Sequence, residues 1–381
     1  MRWMMLSLGM AAQGAGCVFM YGLPFLLPAF RAEFGLTLAQ AGILVGAPSA
    51  GMLFTLIAWG WVADRFGERL AMTAGLVMAA AFLAGAAATG DPVVLAVLLA
   101  LAGAGGAAAN AASGRVVLGW FPKERRGVAM GFRQTATPLG VAVAGAVTPR
   151  FATVQGALLA MAVICAVTAV AVLAFVRDPA RGASGPASRT ASPYRDAGLW
   201  RVHGASALLV VPQFATAAFA VTYLVSARGW DVASAGQLVA GAQFLGAAGR
   251  LACGRWSDAV GSRVRPMRQL ALVNGVVMVL LAASVQTSWG LPLMIAALVI
   301  SMSGNGLAFT AVSELAGSAW AGRALGAQNT AQNIVSAVTP GVVGALIAGT
   351  GFGVAFALAG ALALVAAVAT PSEPTPAAVT V

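Results

Sequence analysis

Long apolar segments without charge recur along the whole chain, separated by short polar segments. The longest uncharged stretches are residues 3–30, 34–63, 70–90, 92–114, 151–176, 202–227, 269–313 and 324–372. A helix needs roughly 20 apolar residues to cross the hydrocarbon core of a bilayer, so the two longest stretches each hold two crossings. With shorter stretches around 128–149 and 232–249, the pattern predicts twelve spans. They are residues 4–30, 37–62, 70–89, 92–119, 128–148, 153–176, 204–227, 232–254, 269–287, 290–318, 324–348 and 352–370.

The spans are predicted to be helices. Backbone polar groups in lipid must find partners within their own segment, and the apolar runs lack the alternation of barrel strands. Of the 381 residues, 60% are apolar and only 9% are charged, against about a quarter in soluble proteins. This composition excludes a water-soluble domain, a disordered chain and a collagen, and three cysteines exclude a disulfide scaffold. The expected fold class is an all-α polytopic membrane protein.

The net charge of +11 would also suit a nucleic-acid-binding protein, but its distribution indicates a membrane topology. With the N-terminus in the cytoplasm, most arginines of the loops fall on the inner side, and the outer side receives only Arg31, Arg150 and Arg228. We therefore expect both termini to be cytoplasmic, in the cytoplasmic (inner) membrane, and no nucleic-acid partner. The first segment is long enough to span and no cleavage site ends it, so no signal peptide is predicted.

A polar linker divides the spans into two sets of six. Residues 177–203 are rich in Arg, Pro, Gly and Ser, which is typical of an exposed linker. The predicted organisation is an N-terminal six-helix bundle over residues 1–176, a cytoplasmic linker over 177–203, a C-terminal six-helix bundle over 204–370 and a cytoplasmic tail over 371–381.

Two motifs of the first half recur in the second. The first motif holds a glycine, an aspartate, a glycine and an arginine, and the second follows span 4. The pairs are Gly60 and Gly254, Asp64 and Asp258, Gly67 and Gly261, Arg69 and Arg263, and then Gly127 and Gly322, Gly131 and Gly326, Gln134 and Asn329, Thr135 and Thr330. An even number of spans per half makes such a repeat parallel, with its pseudo-two-fold axis along the membrane normal.

These motifs carry a resemblance. The loop GxxxD-R-x-G-x-R at residues 60–69, its weaker copy at 254–263 with Ala259 in place of an arginine, the basic linker and the loop at 120–127 resemble the major facilitator superfamily of secondary transporters. The resemblance implies two six-helix bundles around a central cavity, with alternating access by rocking of the two halves.

The first motif loop is expected to act as a conformational latch. A lone carboxylate at the membrane edge is costly unless it is paired. The resemblance implies that Asp64 contacts the cytoplasmic start of span 11 and an arginine on span 4, which Arg115 fits. The expected latch residues are Gly60, Asp64, Arg65, Gly67, Arg69, Arg115, Gly254, Asp258, Gly261 and Arg263. In the alternative interpretation, Arg65 and Arg69 only set the topology.

Glu314 has two interpretations. It is the one acidic residue that the pattern places well inside a span, and such carboxylates are candidates for proton relays. It would then couple transport to a co-transported proton. In the alternative it is a structural ion-pair partner of Arg250 or Arg255 near the end of span 8.

Arg133 is the most informative basic residue, because an arginine facing lipid inside span 5 is unfavourable. It is a candidate ligand for a substrate anion, or alternatively a hydrogen-bond donor between the bundles. Further candidate substrate-binding residues are Gln134, Asn110, Gln13, Tyr21, Gln213, Gln328, Asn329 and Asn305, for which inter-helix hydrogen bonding is the alternative. No cysteine or histidine has metal-ligand spacing, so neither a metal nor a cofactor is expected.

The function expected from these features is secondary transport of a small organic solute. No Walker A sequence or soluble nucleotide-binding domain is present, so an ion or solute gradient must supply the energy. Two inward arginines against one glutamate favour an organic anion. Alternatives are drug or metabolite efflux, which the incomplete glycine–proline pattern around Pro138 disfavours, and a non-transporting membrane sensor. An enzyme is not expected, since the spans lack an activated nucleophile, and nothing requires more than a monomer.

Overall fold

A computed structural model describes residues 1–179 and 192–372, and the regular structure of these residues is helical throughout. Its α-helices, in chain order, are α1 Arg2–Gly22, α2 Leu27–Phe34, α3 Leu38–Phe66, α4 Glu68–Ala88, α5 Pro92–Trp120, α6 Arg126–Gln134, α7 Ala136–Val147, α8 Val154–Phe175, α9 Ala197–Ser226, α10 Val232–Val260, α11 Val264–Ala283, α12 Gly290–Ser303, α13 Asn305–Ala316, α14 Ala321–Thr350 and α15 Phe352–Ala369. Short 3-10 turns cover Leu23–Leu26, Lys123–Arg125, Thr148–Arg150 and Pro193–Arg195.

Every predicted span contains one helix or an interrupted pair of helices. Within the described residues, ten helical segments are long and apolar enough to cross a membrane. The other two predicted spans correspond to the pair α6 and α7, each too short alone, and to α10, which ends in a charged segment.

The interrupted spans have local causes. Between α6 and α7 lies Thr135, and Pro138 follows in the first turn of α7. Proline has no backbone N–H, so it cannot donate the helical hydrogen bond to the carbonyl of Gln134. In span 1, Pro24 and Pro28 lie at the starts of the 3-10 turn and of α2, respectively. Span 10 is interrupted at Gly304, between α12 and α13.

Three helix boundaries differ from the predicted spans by five residues or more. The helix α9 begins at Ala197, inside the predicted linker, because Asp196 caps it by accepting a 2.9 Å hydrogen bond from the amide of Gly198. The helix α10 continues past residue 254 to Val260, where Gly261 ends it in a left-handed conformation. The next helix, α11, correspondingly begins at Val264 rather than 269. Hydropathy marks the membrane edge, whereas a helix continues until a capping residue or a glycine stops it.

The described contacts divide the chain into two compact units. Among the described residues, unit 1 contains residues 1–122, 133–179 and 316–330, and unit 2 contains residues 123–132, 192–315 and 331–372. Two short segments, Lys123–Phe132 and Ala316–Thr330, therefore belong to a different unit from the sequence neighbours on both of their sides.

Unit 1 is built on α4 and α5, which pack against each other and against α8 and α3 respectively. Its helices approach closely where small residues face each other, as at Gly75 and Gly105. Its core is filled by large side chains such as Phe19, Phe30 and Leu83.

In unit 2, α11 packs on α15, and α10 packs on α12. The core of unit 2 includes Tyr223, whose hydroxyl donates a 2.9 Å hydrogen bond to the carbonyl of Val285, together with Met278 and Phe356.

Candidate functional site

The carboxylate of Asp64 is bound to the first turn of α14. Asp64 lies in the last turn of α3, and it accepts hydrogen bonds from the backbone amides of Gly322 at 2.7 Å and Arg323 at 3.0 Å. The Nε atom of Arg323 donates to the same carboxylate at 2.9 Å. The amides at a helix start have no partner within the helix and carry the positive end of its dipole. An aspartate placed there accepts hydrogen bonds from these amides, and its negative charge is stabilised by the positive end of the helix dipole.

Arg115 neutralises this carboxylate from the other side. It lies on α5, is 9% exposed, and donates to Asp64, to Glu68 at 2.8 Å and to the carbonyl of Ser318 at 2.7 Å. Glu68 is itself 2% exposed. Two buried carboxylates and two arginines therefore share one network, which we call the α3–α14 cluster (Asp64, Glu68, Arg115, Arg323).

Two glycines allow the close approach that this cluster requires. A Cβ atom on Gly60 would lie 2.3 Å from the carbonyl oxygen of Gly322, and a Cβ atom on Gly322 would lie 2.3 Å from that of Gly60. Both distances are far below van der Waals contact. Any side chain at either position would push α14 away from the carboxylate of Asp64.

The second half repeats this arrangement on α6. Asp258, near the end of α10, accepts hydrogen bonds from the amides of Gly127 and Val128, both at 2.9 Å. A Cβ atom on Gly254 would lie 2.3 Å from the carbonyl oxygen of Gly127, and the reverse distance is also 2.3 Å. The sequence repeat thus corresponds to two contacts of one design, each joining an aspartate to a helix start from the opposite half of the sequence.

The charged partners differ between the two contacts. Asp258 is paired with Arg263 at 2.6 Å, and Arg263 also contacts Glu314 of α13 at 3.2 Å. Arg126 lies 3.6 Å from Glu314. We call this network the α10–α6 cluster (Arg126, Asp258, Arg263, Glu314). The arginine that pairs with Asp258 therefore comes from the motif loop itself, whereas the arginines that pair with Asp64 come from α5 and α14.

Several expected latch residues lie outside both clusters. Arg69 occupies the repeat position of Arg263, but it donates to the carbonyl of Leu173 at the end of α8. Arg65 is exposed, with its guanidinium 5.6 Å from the ring of Phe66. Gly67 and Gly261 act as turns with positive φ angles of 101° and 69°. Arg250 donates to the carbonyl of Met302, and Glu314 is paired with Arg263 and Arg126.

Besides Arg126 and Arg323, two further residues that take part in these contacts were not predicted from the sequence, Glu68 and Asp178. Glu68 follows Gly67 inside the motif loop, where its charge was a usable signal. Asp178 accepts hydrogen bonds from the amides of Glu68 at 2.8 Å and Arg69 at 3.0 Å. It therefore caps α4 from a position beyond the end of α8.

Arg133 lies in a buried polar cluster of unit 1, at the interruption between α6 and α7. It is 1% exposed, and it donates to the hydroxyl of Ser113 at 3.0 Å, to the carbonyl of Asn110 at 2.7 Å and to the side chain of Gln134. Ser113 lies three positions after Asn110 on α5, so both lie on one helix face. The hydroxyl, carbonyl and amide oxygens that accept these bonds orient the guanidinium.

The hydrogen-bond chain continues from Ser113 to α1 and back. Ser113 donates to Gln13 at 3.3 Å, and Gln13 donates to Thr137 of α7 at 3.3 Å. Tyr21, the other substrate-binding candidate on α1, is 43% exposed. The chain therefore links α1, α5 and α7 around Arg133, and it includes four of the residues expected to bind substrate: Gln13, Asn110, Arg133 and Gln134.

Unit 2 contains an amide cluster of its own. Asn305 donates to Gln213 at 3.2 Å, and Gln332 donates to Ser206 at 2.7 Å and to Asn305 at 3.5 Å. The two remaining candidates lie on the part of α14 that belongs to unit 1. There Gln328 is fully buried, and Asn329 donates to the carbonyl of Leu325 at 2.8 Å.

Comparison with known proteins adds sequence relatives. Residues 5–340 match the sequence profile of the Major Facilitator Superfamily. The chain is 43% identical over 353 residues to "Uncharacterized MFS-type transporter Rv2994" of Mycobacterium tuberculosis, covering 91% of this chain and 79% of the relative. A shorter match, 33% identical over 124 residues, covers 32% of this chain and 27% of "Probable sulfoacetate transporter SauU" of Cupriavidus necator.

Solved structures show the same fold. The Major Facilitator Superfamily transporter FucP, in the outward conformation, superposes with a TM-score of 0.76 at 16% identity, covering 97% of this chain and 99% of that one. The human organic anion transporter MFSD10 (TETRAN) superposes with a TM-score of 0.74 at 14% identity, covering 97% and 99%. With the profile match, these likenesses confirm the expected twelve-helix, two-bundle fold class. The chain belongs to the major facilitator superfamily of membrane transporters.

Proposed function

We propose that this protein is a secondary transporter that moves a small organic anion across the cytoplasmic membrane by alternating access. The observation that carries the proposal is Arg133, a guanidinium 1% exposed in a membrane-spanning segment and bonded to the hydroxyl of Ser113 and the carbonyl of Asn110. An ionisable side chain inside a membrane span is energetically costly, so its presence there makes it a candidate for a functional site. Two similar proteins support the anion, since SauU is a probable sulfoacetate transporter and MFSD10 is an organic anion transporter.

The two clusters support the alternating step. Each joins an aspartate of one sequence half to a helix start of the other half, through charge-assisted hydrogen bonds. We propose that both contacts form while the cytoplasmic side is closed and break when it opens. We also propose that both termini are cytoplasmic, as the positive-inside rule predicts.

The test of the substrate class is counterflow in proteoliposomes of the purified protein, with a panel of labelled small sulfonates, carboxylates, sugars and organic cations. We expect exchange of anions only. Arg133→Gln should lower anion exchange by about tenfold or more, since it removes a buried charge worth at least about 1.4 kcal/mol. Arg133→Lys should retain part of the exchange. Arg150→Gln, at an exposed arginine that donates to the carbonyl of Ala146, is the matched control. Equal exchange of neutral or cationic solutes would refute an anion transporter.

We propose further that transport is coupled to protons through Glu314. Its pairing with Arg263 and Arg126 depends on its negative charge, so protonation would weaken the α10–α6 cluster and favour opening. Glu314→Gln, which mimics the protonated form, should abolish uptake driven by a pH gradient while leaving counterflow measurable. If pH-driven uptake is unchanged, Glu314 is a structural ion-pair partner only.

A further inference from the structure

A basic cleft lies beside the α10–α6 cluster, within unit 2. It has a volume of about 680 Å³, and its polar lining comes from Lys123, Arg126, Ser262, Arg263 and Glu314. Three cationic side chains there face one carboxylate, so the lining carries a positive balance. Lys123 is exposed, and the side chain of Arg126 is 22% exposed.

The start of α11 adds to the positive field of this cleft. Val264, the first residue of α11, lies in the wall of the cleft. The hydroxyl of Ser262, which also lines the cleft, already accepts a hydrogen bond from the amide of Arg265, so the helix start contributes through its dipole rather than through that amide. A helix start carries a partial positive charge and, together with arginine and lysine side chains, is a common binding site for phosphate groups.

The remaining wall of the cleft is apolar. Val260 and Leu315 line it and are 40% and 45% exposed. A site with cations on one side and exposed apolar side chains on the other matches a phosphate group that carries a glycerol or an acyl portion. Basic pockets between membrane helices on the cytoplasmic side bind anionic headgroups in this way.

We infer that this cleft binds a phosphate-bearing anion, through Lys123, Arg126 and the start of α11. The phosphate comes either from a headgroup of the surrounding bilayer or from a free phosphate compound. The site is distinct from Arg133, which belongs to unit 1. It requires no transport activity, so it stands or falls apart from the proposed function.

The ligand would act on the contact between Asp258 and α6. A phosphate in the cleft shares Arg126 and Arg263 with Glu314, so its binding changes the balance of charges that holds the α10–α6 cluster. Because linkage is reciprocal, the state of this contact must change the affinity for phosphate by the same factor.

The binding test uses the full-length protein in nanodiscs, and two arms separate the two sources of phosphate. In the first arm, sodium phosphate is titrated into phosphatidylcholine nanodiscs at constant ionic strength, with the melting temperature as readout. In the second arm, nanodiscs with and without phosphatidylglycerol are compared, and retained lipid is counted by native mass spectrometry. We expect saturable binding in at least one arm, and the responding arm identifies the source.

Variants on one loop decide whether the cleft is the site. Lys123→Gln should weaken binding by about fivefold, the upper range for one exposed ion pair, and Lys123→Arg should restore it. Lys123→Gln keeps the backbone carbonyl that accepts from Arg263. Arg125→Gln removes an equal charge from the same loop, but Arg125 does not line the cleft, so binding should change by less than about twofold.

Two results would overturn the inference. One is that neither phosphate nor phosphatidylglycerol binds the unaltered protein saturably. The other is that Arg125→Gln weakens binding as much as Lys123→Gln, because the effect would then reflect general surface charge rather than this cleft.

Discussion

The absence of a Cβ atom at four glycines allows the close backbone approach in both clusters. The aspartates can reach the amides of a helix start only because Gly60, Gly322, Gly254 and Gly127 leave no side chain between the backbones. The hydrogen bonds are charge-assisted, and such bonds to buried groups contribute about 1.5–3 kcal/mol each. A methyl group at any of these four positions therefore affects stability through geometry rather than charge.

At this scale we expect Gly60→Ala to destabilise the protein by about 1–3 kcal/mol, the usual cost of overpacking. Gly46→Ala is the matched control, because Gly46 lies on the same helix and a Cβ atom there meets nothing within 4 Å. Melting in detergent should show a lower transition temperature for Gly60→Ala alone. Hydrogen exchange should rise at the amides of Gly322 and Arg323. Equal behaviour of the two variants would contradict the close approach of α3 and α14.

The sequence repeat predicted where charges would lie, but not which charges would meet. Arg69 and Arg263 occupy equivalent positions, yet Arg69 caps the end of α8 while Arg263 reaches Asp258. The choice of partner depends on which groups the neighbouring helices offer. In unit 1, Arg115 already occupies the carboxylate of Asp64, and in unit 2 Glu314 draws Arg263 inward.

Helix ends are determined by groups that hydropathy does not register. The helix α4 begins directly after Gly67, and its first amides are bonded to Asp178 rather than to a neighbouring residue. Sequence rules look for a capping side chain immediately before the helix. Asp178 lies 110 positions after Glu68, so no local pattern could identify it. The twelve apolar spans were predictable because hydrophobic length is a local property.

For this element, Asp178→Ala should cost about 0.5–2 kcal/mol, the usual cost of losing a helix cap. Hydrogen exchange should increase in the first turn of α4, and the melting temperature should fall. Glu124→Gln removes an acidic charge at an exposed loop position and serves as the control. Unchanged exchange at Glu68 and Arg69 would show that water replaces the aspartate without loss.

At the scale of the whole molecule, each unit includes one helix start whose sequence neighbours on both sides belong to the other unit. The first residues of α14, to Thr330, belong to unit 1, whereas the remainder of α14 belongs to unit 2. The segment Lys123–Phe132, with most of α6, belongs to unit 2, whereas α7 belongs to unit 1. Each helix start is thus covalently continuous with residues of the other unit. A motion that separates it from its aspartate must therefore also displace the rest of the same span.

We therefore expect the two contacts to open together. Asp64→Asn should raise hydrogen exchange not only at Gly322 and Arg323, but also at Gly127 and Val128 in the other cluster. Asp258→Asn should produce the reciprocal pattern. In each case about 1.5–3 kcal/mol of charge-assisted bonding is lost.

Glu33→Gln, at an exposed residue that contacts Gln155, should alter neither site. A purely local response in both aspartate variants would mean that the contacts open independently, which would contradict their joint role in alternating access.

The two aspartates find their arginines at different distances along the chain, and this difference has a consequence for synthesis and membrane insertion. Asp258 finds Arg263 five positions later, so this pair can form as soon as one loop leaves the ribosome. Asp64 must wait for Arg115, 51 positions later, and then for Gly322, 258 positions later. During synthesis the earlier motif is thus the later one to mature, because the carboxylate of Asp64 lacks the amides of Gly322 and Arg323 until α14 has been inserted.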